Sequence, residues 1–236
     1  MAAAIALAAG CFHGFGGFGT GLMMAPLLTA LFPATVAIPT ILLLSFASCI
    51  RLLPTVGKDI EVRRVVSLAI PAILCVPVGV AALAQFEPEV VRRVVSAMVL
   101  ALVIVLAFGL RFRGARRLRV LVPAGAVSGV LTGIGGVGGP PIVLTFLSLD
   151  ESPKLTRANL IAYFACTDFV AITLMFVFGV SALARVLPLL GIIAPFYFAG
   201  LYFGVRAFSP KNQPRYRKIA LSFLAAIALS GLLWSP

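Results

Sequence analysis

Eight long apolar stretches, separated by short polar breaks, divide this sequence of 236 residues. They cover residues 2–32, 34–56, 65–84, 90–110, 120–149, 157–179, 183–207 and 216–235. An α-helix needs about 20 apolar residues to cross the roughly 30 Å of hydrocarbon in a bilayer, so these stretches are long enough to be membrane spans. Charged residues make up only 11 % of the chain, whereas a soluble domain carries about 25 %. The sequence therefore predicts an all-α polytopic membrane protein.

The first and fifth stretches are longer than the others, and a glycine run interrupts each of them. The two runs, at residues 14–21 and 133–140, begin 119 positions apart, which is close to half the chain. Residues 45–49 align with residues 163–167 at nearly the same offset. We interpret the chain as two homologous four-segment halves joined by a basic linker. The first membrane repeat is residues 1–112, the linker is 113–119, and the second membrane repeat is 120–236.

The lysines and arginines are clustered between the apolar stretches, which is typical of loops on the cytoplasmic face of a bilayer. This pattern accounts for the net charge of +12 without nucleic-acid binding. If all eight stretches cross the membrane, the 19 basic residues divide ten to nine between the two faces. If the two glycine-broken stretches are re-entrant hairpins, the division becomes sixteen to three. The second division favours an inverted repeat in the inner membrane, with both termini in the periplasm.

The glycine runs are the best candidates for a substrate site. A break in a helix at membrane depth is tolerated only where protein buries it or where it lines a wet cavity. The half-helix that begins after such a break points unpaired N–H groups and a positive dipole end toward the membrane centre, which suits an anion. The alternative role for these glycines is close packing between helices. The predicted substrate-binding residues are Gly14, Gly16, Gly17, Gly19, Thr20, Gly133, Gly135, Gly136, Gly138, Gly139, Ser45 and Asn159.

Three ionisable residues lie in or beside the spans and are candidates for proton coupling: Asp168, His13 and Arg51. A charge at the centre of a membrane costs at least roughly 2.5–3.5 kcal/mol, so such residues are rarely there without a function. Structural alternatives remain for each. Asp168 could form an ion pair with Arg51, His13 could cap a half-helix, and Arg51 could extend to the membrane interface.

The remaining chemistry-bearing residues are few. The four cysteines lie inside apolar stretches without CxxC spacing, so neither a disulfide nor a metal site is expected. One histidine and seven carboxylates provide little acid–base machinery for an enzyme. We expect no cofactor and no enzymatic activity.

Several features follow the order found in a known family. The first glycine run is followed by Met-Met-Ala-Pro-Leu at residues 23–27, then by a helix marked with polar residues, then by Gly-Lys-Asp-Ile-Glu-Val-Arg at residues 57–63. The same order returns at residues 133–144. In this respect nearly the whole chain resembles the sulfite exporter TauE/SafE family. Phe18 and Thr20 depart from its pattern by interrupting the first run, and Pro140 and Pro141 follow the second.

The resemblance implies a bacterial inner-membrane permease for sulfite, sulfonates or related organic anions. The favoured function is a secondary active transporter of small anions, driven by the proton gradient. The alternatives are an anion channel and a membrane protein without transport activity, either an enzyme or an assembly factor. The expected partners are a small anion, the lipid bilayer and, in a homodimer, a second copy of the chain, with no nucleic acid.

Overall fold

The computed structural model describes residues 2–107, 117–149 and 151–207. Within them the chain forms nine α-helices and one 3-10 turn, with no strand. The helices are α1 (Ala2–Gly16), α2 (Thr20–Leu31), α3 (Ala34–Val56), α4 (Val62–Gln85), α5 (Pro88–Ala107), α6 (Leu118–Gly135), α7 (Gly139–Leu147), α8 (Pro153–Val177) and α9 (Leu183–Ala207), and the turn is Gly57–Asp59. Helices α3, α4, α6, α8 and α9 are long and apolar enough to cross a membrane. The all-α membrane fold is confirmed for these residues, while the predicted span 216–235 and most of the linker 113–119 lie outside them.

The two long apolar stretches are each broken at the predicted glycine run. Helix α1 ends at Gly16 and α2 begins at Thr20, whereas α6 ends at Gly135 and α7 begins at Gly139. In the two breaks, Gly17 and Gly136 have backbone φ angles of 76° and 64°. Residues with a Cβ rarely adopt these left-handed angles, so glycine allows the helix to stop there. The prediction of discontinuous helices is confirmed.

Two parallel helix pairs pack through glycine contacts. Helix α1 lies along α9, where a Cβ on Gly10 would overlap the carbonyl oxygen of Tyr197 and a Cβ on Gly204 would overlap that of Cys11. Helix α4 lies along α6 in the same way, with Gly129 against the carbonyl oxygen of Ala72. Small residues allow membrane helices to approach this closely. The first helix of each broken stretch thus packs closely against a long helix, α1 against α9 and α6 against α4.

The central pair, α3 and α8, is antiparallel. The rings of Phe46 and Phe169 pack with centroids 5.7 Å apart. Beyond the end of α3, Asp59 pairs with Lys154, near the start of α8, at 3.2 Å. Because residue numbers rise along α3 as they fall along α8, these two counterpart helices run in opposite directions.

Both broken stretches fold back on themselves. The ion pair between Arg64 and Glu151 brings the residue range after α7 to the end of the bundle where α4 begins. Since α6 runs alongside α4 and away from that end, α7 must return toward it. Helix α2 likewise turns back after the end of α1 and leads to the start of α3. The two hairpins meet in the interior, where a Cβ on Gly21 would overlap the carbonyl oxygen of Gly136.

The outer surface carries large apolar side chains at helical spacing. On α4, Ile70, Leu74 and Val78 are four residues apart, and more than half of each side chain is exposed. Exposed apolar patches of this kind mark contact with lipid or protein. In a multi-pass membrane protein we assign this stripe to the lipid-facing side of α4.

Candidate functional site

A small cavity lies where the two hairpins meet. It is lined by Phe18, Gly19, Thr20, Gly21, Leu22, Ser45, Thr132, Gly136, Val137, Gly139, Phe164 and Asp168. Its volume is about 20 Å³, which is room for roughly one water molecule. The lining includes three residues with hydroxyl side chains and one with a carboxyl group, and among the described residues no lysine or arginine lines it.

The positive ends of two half-helices converge on this cavity. The first turn of α2 begins at Thr20, and its earliest N–H groups have no intrahelical acceptor, since the amide of Met23 is the one that bonds to the carbonyl of Gly19, at 3.1 Å. The first turn of α7 contains Pro140 and Pro141, which have no N–H group, so its main donor at the cavity is Gly139. Because aligned peptide dipoles leave partial positive charge at each start, the cavity suits an anion.

Thr20 joins the cavity to a buried polar network. Its hydroxyl oxygen lies 2.7 Å from Nδ1 of His13 and 2.7 Å from the hydroxyl of Tyr197. The Tyr197 hydroxyl also lies 3.2 Å from the hydroxyl of Ser48, which donates to the carbonyl oxygen of Leu44 at 2.8 Å. The side chain of Thr20 does not cap α2, because the capping position is occupied by Gly19 without a side-chain hydrogen bond. Thr20 therefore lines the cavity as a member of this network and not as a helix cap.

The second break has a corresponding network. The hydroxyl of Tyr163 donates to Ser128 at 2.8 Å. Ser128 donates to the carbonyl oxygen of Gly138, which is the last residue before α7. Thr132 donates to the backbone carbonyl of Ser128 at 2.9 Å. These bonds hold the start of α7 against α6 and α8.

Asp168 is the acidic residue of the cavity. It lies on α8, is 2 % exposed, and shares a side-chain hydrogen bond with Ser45 of α3. Its second carboxyl oxygen has no hydrogen-bond partner among the described residues. Arg51 is exposed on α3, and the ion pair between Arg51 and Asp168 considered from the sequence is not formed. Asp168 is thus a buried carboxyl group whose neighbours at the cavity are hydroxyls and backbone.

The predicted site residues fall into two groups. Those that line the cavity are Gly19, Thr20, Ser45, Gly136, Gly139 and Asp168. Those placed elsewhere are Gly14, Gly16, Gly17, Gly133, Gly135, Gly138, Asn159, His13 and Arg51. No contact in the structure tests substrate binding itself, so the binding role of the first group stays a prediction.

Packing and capping explain most of the second group. A Cβ on Gly14 would overlap the carbonyl oxygen of Leu201, and Gly133 lies equally close to α4. Gly16 and Gly135 are the last residues of α1 and α6. Asn159 accepts a hydrogen bond from the backbone N–H of Glu61 at 2.8 Å, which joins α8 to the start of α4.

Arg157 is a buried cation that the sequence analysis counted only as a loop charge. Its guanidinium donates to the carbonyl oxygen of Gly14 at 2.8 Å, near the end of α1. A cation there offsets the negative end of the helix dipole. Its side chain also lies against Gly17, where a Cβ would come within 3.0 Å of the Arg157 Cγ. The available signal was its position as the first residue of the apolar stretch 157–179.

The described residues contain no cluster of histidine, cysteine and carboxylate side chains that could hold a metal ion. The four cysteines are free thiols. The polar groups of the site are therefore hydroxyls, amides, one imidazole and one carboxyl group, which can bind an anion and move protons.

The sequence of this chain matches a known protein family. The model of the family described as Sulfite exporter TauE/SafE matches residues 2–231, nearly the whole chain. The chain belongs to the TauE/SafE family. Comparisons with curated proteins and with solved structures gave no match. The resemblance seen in the sequence is confirmed, and this TauE/SafE protein is a multi-pass membrane protein of a family of sulfite exporters.

Proposed function

We propose that this TauE/SafE protein is a secondary active transporter of small anions such as sulfite or a sulfonate, and that the anion binds in the cavity between the two breaks. The observation that carries this proposal is the convergence of the starts of α2 and α7 on one cavity lined by hydroxyl groups. Backbone N–H groups and hydroxyls can satisfy several oxygen atoms of an oxyanion without a charged side chain.

The cavity between the two breaks is small. Its volume of about 20 Å³ is room for roughly one water molecule, so we expect the two breaks to move apart when an anion enters. A site that opens and closes around its ligand is what alternating access requires.

Asp168 is the proposed proton carrier. A negative carboxylate in the cavity would repel an anion, so binding is expected to follow protonation of Asp168. When the acid is neutral it can also donate a hydrogen bond to the anion. Proton and anion would then move together, which couples the flux of anion to the proton gradient.

We further propose an inverted repeat in the inner membrane with both termini in the periplasm. The opposite directions of α3 and α8 support this arrangement. So does the contact between Asp59 and Lys154, because eight full crossings would put the loops that carry them on opposite faces of the membrane. The sixteen-to-three division of basic residues supports the same orientation.

The orientation predicts the result of a fusion experiment. A reporter that is active only in the cytoplasm, fused after Pro236, should stay inactive, and the same reporter inserted between Gly57 and Glu61 should be active. A periplasm-specific reporter at both sites is the control and should give the reverse pattern. Strong cytoplasmic activity after Pro236 would contradict the proposed orientation.

Counterflow in proteoliposomes tests the proposed function. Vesicles loaded with unlabelled sulfite should take up labelled sulfite transiently, because a carrier exchanges label without net flux. A sulfonate inside the vesicles should drive the same uptake if the two share one site. Equilibration of label without a transient overshoot would indicate a channel, and consumption of sulfite without any uptake would indicate an enzyme.

A further inference from the structure

Two buried tyrosines, neither of which lines the cavity, each end a hydrogen-bond chain at the start of one half-helix. Tyr197 of α9 is fully buried and bonds to Thr20, the first residue of α2. Tyr163 of α8 is fully buried and bonds to Ser128, which bonds to Gly138 just before α7. The two tyrosines are not counterparts in the repeat, since Tyr163 aligns with Ser45. The two breaks therefore have similar hydrogen-bond chains, but the tyrosines of the two chains lie at non-equivalent positions in the sequence.

The first chain holds the side chain of Thr20 at the start of α2. Nδ1 of His13 and the hydroxyl of Tyr197 each lie 2.7 Å from the Thr20 hydroxyl oxygen. The Tyr197 hydroxyl also lies 3.2 Å from Ser48, whose own proton has a nearer acceptor in the carbonyl oxygen of Leu44 at 2.8 Å. Without the tyrosine hydroxyl, Thr20 keeps only its bond to His13, and the first residue of α2 loses one of its two side-chain partners.

The second chain acts on a carbonyl group. The oxygen of Gly138 carries partial negative charge and would repel an anion if it faced the cavity. Tyr163 donates to Ser128, and Ser128 donates to that oxygen, which directs it toward α6. The start of α7 then presents the N–H end of Gly139 to the cavity.

We infer that Tyr197 and Tyr163 are positioning residues of the anion site: Tyr197 holds Thr20 in place at the start of α2, and Tyr163, acting through Ser128, turns the Gly138 carbonyl away from the anion. This inference rests on the proposed function for its meaning. Tyr197 and Tyr163 act on the site without lining the cavity. The second chain runs from donor to acceptor toward its break, so its first bond strengthens the next.

The inference predicts a selective loss of affinity. Tyr197→Phe and Tyr163→Phe should each raise the KM for sulfite roughly three- to tenfold, the effect of one lost hydrogen bond, while the maximal rate stays within about twofold. Tyr202→Phe, on the same helix as Tyr197 but against the exposed cation Arg206, is the matched control and should leave both unchanged. A KM equal to that of the control in both variants would overturn the inference.

Double variants separate positioning from general stabilisation. If Tyr197 acts through Thr20, Thr20→Val and Thr20→Val/Tyr197→Phe should have the same KM, because the second change removes a bond that is already lost. Ser128→Ala and Ser128→Ala/Tyr163→Phe should agree in the same way. Additive losses in both pairs would assign the tyrosines to the packing of the bundle.

Hydrogen–deuterium exchange provides a test that does not depend on transport. Tyr197→Phe should speed exchange in residues 18–24, and Tyr163→Phe should do so in residues 136–142, each without affecting the other segment. Exchange rates in these two segments that equal those of Tyr202→Phe would contradict the roles of the two hydrogen-bond chains. If the exchange pattern is found but the wild-type protein transports no anion, the proposed function fails while the positioning of the two half-helices holds.

Discussion

Replacing Gly21 with alanine is expected to reduce anion transport at least about tenfold. Gly21 lies in the first turn of α2, where the added Cβ would overlap the carbonyl oxygen of Gly136 in the other break. The obstacle is backbone, so no change of rotamer can relieve it, and the two breaks must move apart. The N–H groups of α2 would then lose their alignment on the anion. A hydrogen bond to a charged group is worth roughly 1.5–3 kcal/mol, so losing one should reduce transport at least about tenfold.

The matched control is Gly191→Ala, the same chemical change on α9. A Cβ there meets nothing within 4 Å, so transport should equal that of the wild type. Initial rates of sulfite counterflow measure the effect, and thermal unfolding in detergent shows whether the variant is folded. A folded Gly21→Ala protein that transports at the wild-type rate would mean that the contact between the two breaks plays no part in binding.

Replacing Asp168 with asparagine is expected to separate exchange from driven transport. Asparagine keeps the shape of the side chain and its bond to Ser45, but it cannot carry a proton. The variant should therefore exchange sulfite across the membrane and lose both accumulation driven by a pH gradient and the dependence of flux on pH. Counterflow and gradient-driven uptake, measured on the same vesicles, give the two quantities.

Arg51→Gln is the control for this change, because Arg51 is exposed on α3 and makes no pair with Asp168. It should leave both activities unaltered. If Asp168→Asn is stable and still accumulates sulfite, Asp168 is not the proton carrier. If it loses exchange together with thermal stability, the carboxyl group is a structural element of the bundle.

The breaks and the acidic residue could be predicted from the sequence because their signals are local. A glycine run inside an apolar stretch marks a helix break, and a carboxylate such as Asp168 stands out among apolar neighbours. The glycines that pack helices together, as distinct from those in the breaks, could also be predicted in part from their spacing. Gly125, Gly129 and Gly133 are spaced by four, which places them on one face of α6, and all three pack against α4. Gly14 follows Gly10 at the same spacing on α1 and packs against α9.

The positioning residues could not be predicted because their roles depend on contacts distant in sequence. Tyr197 is 177 positions from Thr20, and a tyrosine in an apolar span gives no sign of its partner. Arg157 was grouped with the loop cations because its partner Gly14, near the end of α1, lies 143 positions earlier in the sequence. Asn159 was predicted to bind substrate from its residue type alone. In the structure its side-chain carbonyl oxygen accepts a hydrogen bond from the backbone N–H at the start of α4.

The most direct test of the anion site is a crystal structure of the protein with selenite, an analogue of sulfite whose selenium gives an anomalous signal. Selenite should first be shown to compete with sulfite in counterflow, so that occupancy in the crystal has a functional reference. We predict an anomalous peak between Thr20 and Gly139, within hydrogen-bonding distance of the Thr20 hydroxyl and the first N–H groups of α2. Crystals should be grown at a selenite concentration that competes with sulfite. An anomalous peak elsewhere in the protein, with none between the two breaks, would contradict the proposed site.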